Sequence, residues 1–334
     1  MHKVRWGLVG PGWVAEGFAE GLAYTDDAVL EAVVSKTSLE KAQEFAKRHG
    51  IKKAYGSYEE FLADPDIDIV YISILIPAHK QMVKDCFKAG KPVVCEKPFA
   101  LNAKETQEMI QAAKDADLFL MEAMWSRFLP VAKTIRQWLK EGRVGKVKYV
   151  RADHGFLFKD HTTRQFDRKV GGGAMMDLGV YAISFASMVL GYEPEEIKSL
   201  AAIGDTEVDE QSVITMRYPG NEIAVLSCTM RAETPQEAWI VGDEGVIRLK
   251  KAFMNADTVT LEIESKLTDD PTIVEEINIP IDGPGYRYEA EEAMRCLQQD
   301  KKESDILPLS ETLGVMKIMD TVREQWGRKY QQEI

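Results

Sequence analysis

The chain has 334 residues, 45% of them hydrophobic and 29% charged, the balance of an ordinary globular protein rather than a disordered or fibrous one. At roughly 100 to 200 residues per domain, that length predicts two domains, each large enough to bury its own core. Subtracting 54 acidic from 42 basic side chains leaves a formal charge of -12, which repels phosphate backbones and anionic headgroups and argues against nucleic acid or a membrane surface as partner.

From Lys3 to about Met124 short β-branched runs alternate with longer helical patterns, the signature of parallel β-α-β units. The runs predict strands at Val4–Val9, Val29–Ser35, Ile69–Ile74, Pro92–Cys95 and Leu118–Met121. Helices are expected between them at Trp13–Ala23, Leu39–His49, His79–Ala89 and Lys104–Asp115, where apolar residues recur three or four apart. At Trp125 the pattern changes. A helix at Val131–Glu141 and a strand at Val147–His154 lead into a polar loop at Lys159–Lys169, a second glycine run and another helix. Seven runs between Ile197 and Ile279 then read as a mostly antiparallel sheet, with Pro219-Gly220-Asn221 as a hairpin turn, before closing helices at Arg287–Gln298 and Leu309–Gln325. The expected fold is α/β, with a dinucleotide-binding Rossmann domain over residues 1–124 and a substrate-binding α/β domain over 125–334.

Cys86, Cys95, Cys228 and Cys296 lack metal-like spacing, and the five histidines lack the i,i+4 or H-x-x-E-H arrangement of zinc chemistry, so no metal is expected. Four cysteines without the pattern of a disulfide framework, and no apolar leader or uninterrupted membrane-length run, point to a cytoplasmic protein. His154 and His161 flank the polar loop and are expected at a pocket rim or on the surface.

Four motifs carry chemistry. Gly10-Pro11-Gly12-Trp13-Val14-Ala15 joins the first strand to the first helix, with glycine where the backbone must turn tightly and approach a pyrophosphate, and a helix N-terminus facing the negative charge. Gly10, Gly12, Trp13 and Val14 are therefore cofactor-binding candidates. At the tip of the second strand, Ser35 and Lys36 stand where an acidic residue would hold a free ribose hydroxyl; a cation flanked by hydroxyls suits a 2′-phosphate, so NADP is favoured over NAD. Glu31 lies too early in that strand to serve, and Ser38 doubles as an N-cap. The third motif, Glu96-Lys97-Pro98, ends a strand at the cofactor crevice, where the Lys97 ammonium can bind ribose and substrate hydroxyl together and depress the pKa of a neighbouring acid. The fourth, Gly171-Gly172-Gly173-Ala174-Met175-Met176-Asp177-Leu178-Gly179-Val180-Tyr181, starts a helix with Asp177 and Tyr181 on one face, offering a carboxylate and a phenol for a proton relay.

Taken together and in this order, the motifs resemble the Gfo/Idh/MocA oxidoreductase family over most of the chain, and Met121-Glu122-Ala123-Met124-Trp125-Ser126-Arg127-Phe128-Leu129-Pro130 is similar to its dimeric dihydrodiol dehydrogenase and NADP-dependent xylose dehydrogenase branch. The resemblance implies that Lys97 is the catalytic lysine, that Tyr181 is the acid-base residue, and that Asp177 orients substrate. It implies also that His79, Trp125 and Phe156 line the substrate pocket, and that the open sheet forms a homodimer. Ile76 and Phe253 depart from the dihydrodiol pattern on the substrate side, and Lys36 replaces an arginine, losing its planar fork for phosphate. The expected activity is hydride transfer between NADP and a secondary alcohol or carbonyl of a sugar, polyol or cyclic diol. The alternatives are an enzyme that holds NAD(P) tightly for a transient oxidation, and a dinucleotide-binding regulatory protein without catalysis.

Overall fold

The computed structural model describes residues 3–264 and 271–330. By contacts the chain divides into two units, residues 1–128 with 281–313, and residues 129–280 with 314–334.

The first unit is wound from β1 (Val4–Val9), α1 (Trp13–Leu22), β2 (Ala28–Val34), α2 (Leu39–His49), β3 (Lys53–Tyr55), α3 (Tyr58–Leu62), β4 (Ile69–Ile72), α4 (His79–Lys88), β5 (Val93–Glu96), α5 (Ala103–Ala116) and β6 (Leu120–Ala123). Its six strands are parallel in the order β3-β2-β1-β4-β5-β6. The strands are short and rich in valine and isoleucine because helices cover both faces, so no solvent-facing alternation remains. β4, β5 and β6 are buried at every position. The order reverses between β1 and β4, which opens a crevice beyond their carboxyl ends. β3 and α3 were not expected from sequence: a three-residue strand of half-buried residues carries too little pattern to read.

The second unit contains α6 (Pro130–Lys140), β7 (Val147–Gly155), α7 (Val180–Leu190), β8 (Glu196–Ile203), β9 (Asp209–Arg217), β10 (Ile223–Thr229), β11 (Ala238–Gly242), β12 (Val246–Leu249), β13 (Thr258–Glu264) and β14 (Pro271–Asn278). The eight strands lie in the order β14-β13-β12-β11-β7-β10-β9-β8. Every neighbouring pair is antiparallel except β7 with β10. One face, carrying Val150, Ala152, Ile214, Leu226 and Ile240, is buried; the other leaves Leu200 and Val213 exposed as direct cross-strand neighbours. α7 is buried continuously from Val180 to Ser187, which explains why it is apolar on all sides. Arg168–Leu190 is thus long and apolar enough by composition to cross a membrane, yet the apolar stretch within it is 78% buried inside the protein, as expected of a core helix.

The closing helices are α8 (Arg287–Gln298) and α9 (Leu309–Gln325). The expectation that all of 125–334 forms the second domain is corrected here, because 281–313, including α8, packs with the first unit. Leu309 enters the first core, and Arg127 pairs with Glu311 at 2.6 Å in a buried ion pair. Breaking such a pair by removing one partner costs about 3–5 kcal/mol.

Candidate active site

The N-terminus of α1 has the features a dinucleotide needs. Gly10 adopts φ +92°, a left-handed conformation that favours glycine, and a Cβ there would lie 2.6 Å from Ile74 Cγ2. A Cβ on Gly12 would meet nothing within 4 Å, so the approach to the backbone is open. Gly12 caps the helix without a side-chain hydrogen bond, whereas α2 and α5 are capped by Ser38 and Asn102. The first-turn amides of Trp13, Val14 and Ala15 therefore have no intrahelical acceptor, and with the helix dipole behind them they suit an anion. These residues fit a bound pyrophosphate. The Trp13 indole is 85% exposed beside them.

At the tip of β2, Ser35 is buried with its hydroxyl 3.3 Å from that of Thr37, while Lys36 is exposed, its Nζ 5.6 Å from the centre of the Tyr58 ring. Ser38 accepts from the Lys41 amide as the N-cap of α2. Glu31 is buried inside the strand and paired with Lys52 at 2.9 Å, out of play at the tip.

β5 ends at Glu96, so Lys97 emerges half-buried from the same carboxyl edge of the sheet, its bond to Pro98 cis. The Lys97 amide donates to Glu96 Oε2 at 3.0 Å. Glu96 is buried, and its Oε1 accepts from the Tyr71 hydroxyl on β4. The Tyr71 oxygen also lies 3.4 Å from Glu289 Oε1 on α8. Glu122, on β6, accepts from Thr312 at 2.9 Å. Burial pushes the Glu122 carboxyl up to about 7 against the opposing effects of Thr312 and Arg127, and burial with the nearby Glu96 charge raises Glu289 well above the carboxylate range. Tyr71, Glu122 and Glu289 were missed in the sequence; only Glu122 lay within a quoted motif.

His79 was expected to line the substrate pocket. Instead it is buried at the start of α4, with Nε2 2.9 Å from the Ile74 carbonyl and Nδ1 3.2 Å from that of Phe99. Burial lowers its pKa while the carbonyls oppose that shift, and the ring ties the chain after β4 to the chain after β5. Both ring nitrogens are thus taken up by main-chain carbonyls. Trp125 is also buried, stacked on Tyr286 with ring centres 5.3 Å apart. Ile76, which departs from the dihydrodiol pattern, is buried.

In the second unit the glycine run leads into a π-helical turn at Met175–Gly179, directly followed by α7. Such turns are uncommon and occur frequently at functional sites. Gly173 has φ +128° and lies close against Asp209, whose Oδ2 accepts the Met175 amide at 2.7 Å. Asp177 sits in the π turn. Its Oδ1 accepts from Arg164 at 2.8 Å and its Oδ2 from Gln165 Nε2 at 3.1 Å, so the loop already holds both oxygens. Tyr181 is in the first turn of α7, nearly buried, edge-on to His154 at 5.4 Å between centres. His154 is buried, contrary to the rim or surface position expected for it, with Nδ1 3.2 Å from the Leu178 carbonyl and its ring 5.4 Å from that of the half-exposed Phe156. The structure thus joins Tyr181, His154 and Phe156 in one aromatic group. Phe253 packs behind it, buried against His154 and Phe185. Arg168 is directed away, to the Lys329 carbonyl.

A family model described as an oxidoreductase family with an NAD-binding Rossmann fold matches residues 4–124, and a GFO/IDH/MocA C-terminal domain matches 132–248. Trans-1,2-dihydrobenzene-1,2-diol dehydrogenase of Danio rerio is 41% identical over 99% of this chain and 99% of its own. The protein of that name in Homo sapiens is 35% identical over the same shares. Among solved structures, a levoglucosan dehydrogenase in complex with NADH superposes with a TM-score of 0.87 at 20% identity, covering 98% of this chain and 97% of that one. A 3-ketoreductase from Actinomadura kijaniata with NADP gives 0.83 at 20% identity, covering 97% and 98%.

Proposed function

The chain belongs to the GFO/IDH/MocA family of NAD(P)-dependent oxidoreductases acting on CH–OH groups, and from that premise we propose that it transfers hydride between NADP and a secondary alcohol or carbonyl of a sugar, polyol or cyclic trans-diol. The observation that carries this reading is the carboxyl edge of the first sheet, where the open α1 N-terminus at the end of β1 and Lys97 at the end of β5 flank the end of β4. When bound, the nicotinamide supplies the acceptor or donor of hydride.

The protein's own task is binding and proton movement. The amides of Trp13, Val14 and Ala15 hold the pyrophosphate, and Ser35 and Lys36 receive the 2′-phosphate. In this reading Tyr181 takes the substrate hydroxyl proton, and the role of Lys97 is to supply the positive charge that favours the phenolate form able to accept it. Asp177 accepts a hydrogen bond from an adjacent substrate hydroxyl, sharing its oxygens with Arg164 and Gln165. A vicinal diol or sugar fits a site with one group for the reacting hydroxyl and another for its neighbour. We further propose that the protein works in the cytoplasm, a compartment suited to four buried free thiols, and dimerises through the sheet face that exposes Leu200 and Val213.

The test is an absorbance screen at the reduced-nicotinamide band with NADP and NAD in parallel, over aldoses, inositols, short polyols and trans-dihydrodiols. Turnover with NADP and one substrate group supports the reading. NADPH binding without turnover of any substrate contradicts it, and cofactor that co-purifies through gel filtration supports the held-cofactor alternative.

A further inference from the structure

In the buried carboxyl cluster behind Lys97, the Tyr71 phenol meets more acceptors than its proton can satisfy. Tyr71 has a single hydroxyl proton, and its oxygen contacts both Glu96 Oε1 and Glu289 Oε1. Glu96 has the prior claim. It accepts the closer contact from Tyr71, and its other oxygen accepts the Lys97 amide, an arrangement that suits a carboxylate. The contact of Tyr71 with Glu289 then needs its proton from Glu289. That side chain is fully buried, and its Oε2 has no hydrogen-bond partner among the described residues, an unfavourable place for an anion. Among the described residues, the groups that act on this pair are Glu96 from β5, Glu122 from β6 and Tyr286 at the start of α8, none of them a cation. Arg127 is engaged by Glu311 and the Ile306 carbonyl. Phe18 closes the remaining side by stacking on Tyr71 at 3.6 Å between centres.

We propose that Glu289 is a positioning residue that remains a neutral acid, donating to Tyr71 so that Tyr71 donates to Glu96, and that this directed chain fixes the carboxylate on which the Lys97 main chain rests. The proposal rests on the reading of Lys97 as catalytic. It gives the chain's return into the first unit at 281–313 a function: α8 closes the hydrogen-bond chain beneath the strand end. As pH rises until Glu289 ionises, two carboxylates compete for one phenol proton, and the support for Lys97 is lost on the alkaline side.

The experiment compares the full-length wild type with Glu289→Gln, Glu289→Leu and Tyr71→Phe. Infrared difference spectra of wild type minus Glu289→Gln, recorded at neutral pH without substrate, should contain a protonated-carboxyl carbonyl band. Glu289→Gln, whose amide can still donate to Tyr71, should turn over close to wild type and lack the alkaline limb of the kcat profile. Tyr71→Phe should lose about 10- to 100-fold in kcat, the scale of a small misplacement of a reacting group, with NADPH affinity unchanged. Glu289→Leu should lose as much if it folds; the Gln variant decides the matter if it does not. Absence of the carbonyl band, or wild-type turnover by Tyr71→Phe, would overturn the proposal. If no substrate is ever turned over, the functional reading fails, while the band still decides where the proton lies.

Discussion

Lys97 and Asp177 are each the charged centre of a glycine- or proline-marked motif, but their surroundings differ in kind. Lys97 stands on a strand end supported by Glu96, Tyr71 and Glu289, all buried. Asp177 is held from a loop by Arg164, whose side chain is 44% exposed, and by Gln165. A buried network is weakly screened and has few alternative arrangements, so it fixes geometry; a half-exposed ion pair is screened by salt and can exchange partners. The difference suggests a division of labour in which the first unit keeps the chemistry constant and the loop of the second adapts to the substrate, as loops on rigid scaffolds commonly do.

The comparison is most strongly tested at the proposed proton relay. Lys97→Met and Tyr181→Phe should each lower kcat by about 10²- to 10⁴-fold, the usual contribution of positioned acid-base groups, with NADPH binding retained. Turnover near wild type in either would remove that group from the relay. Asp177→Asn should act mainly on KM, lowering kcat/KM by about 10- to 100-fold, the scale of a hydrogen bond to a charged group; a pure kcat defect would place Asp177 in the chemistry instead. Lys36→Ala should weaken NADP binding about tenfold and leave NAD binding unchanged, as titration of both cofactors would show. Arg164→Ala should cost only about two- to fivefold in kcat/KM, less at high salt; an effect as large as that of Asp177→Asn would show that the loop is as rigid as the strand end.

Asp209 brings a buried carboxyl into the second unit as well. Burial raises it from an ordinary 3.8 to about 7 although the Met175 amide opposes the shift. Its folded pKa lies above its unfolded one, so its contribution to stability is fully present below 3.8 and is lost as pH rises to about 7. Unfolding of wild type relative to Asp209→Asn should therefore become easier across that window, by up to about 1.4 kcal/mol per pH unit. A difference that stays constant with pH would mean that Asp209 is ionised throughout.

The sequence showed what depends on neighbours in the chain. Alternating valine-rich runs and helical spacing placed β1, β2, β4 and β5, and Gly10-Pro11-Gly12 marked the anion-binding helix start, because each needs only a few adjacent residues. It did not show what depends on distant partners. Tyr71 and Glu289 are 218 positions apart and Glu122 and Thr312 are 190 apart, so nothing local marks these glutamates as buried. The family resemblance pointed to His79 as a pocket residue, but the Ile74 and Phe99 carbonyls that occupy its ring come from the chain after two different strands. The π turn at Met175–Gly179 was likewise hidden, since an i,i+4 reading assumes α geometry throughout. The glycine run before it was the available signal.

The central claim is that Lys97 and Tyr181 act as one proton-moving unit, and a double-mutant cycle tests it most directly. Pre-steady-state rates would be measured for wild type, Lys97→Met, Tyr181→Phe and the double variant, with one substrate and saturating NADP. Residues that work as a unit are strongly non-additive. The account predicts that the double variant is no more than about threefold slower than the slower single variant. Losses that multiply across the two sites would contradict it, leaving two independent contributions in place of a relay.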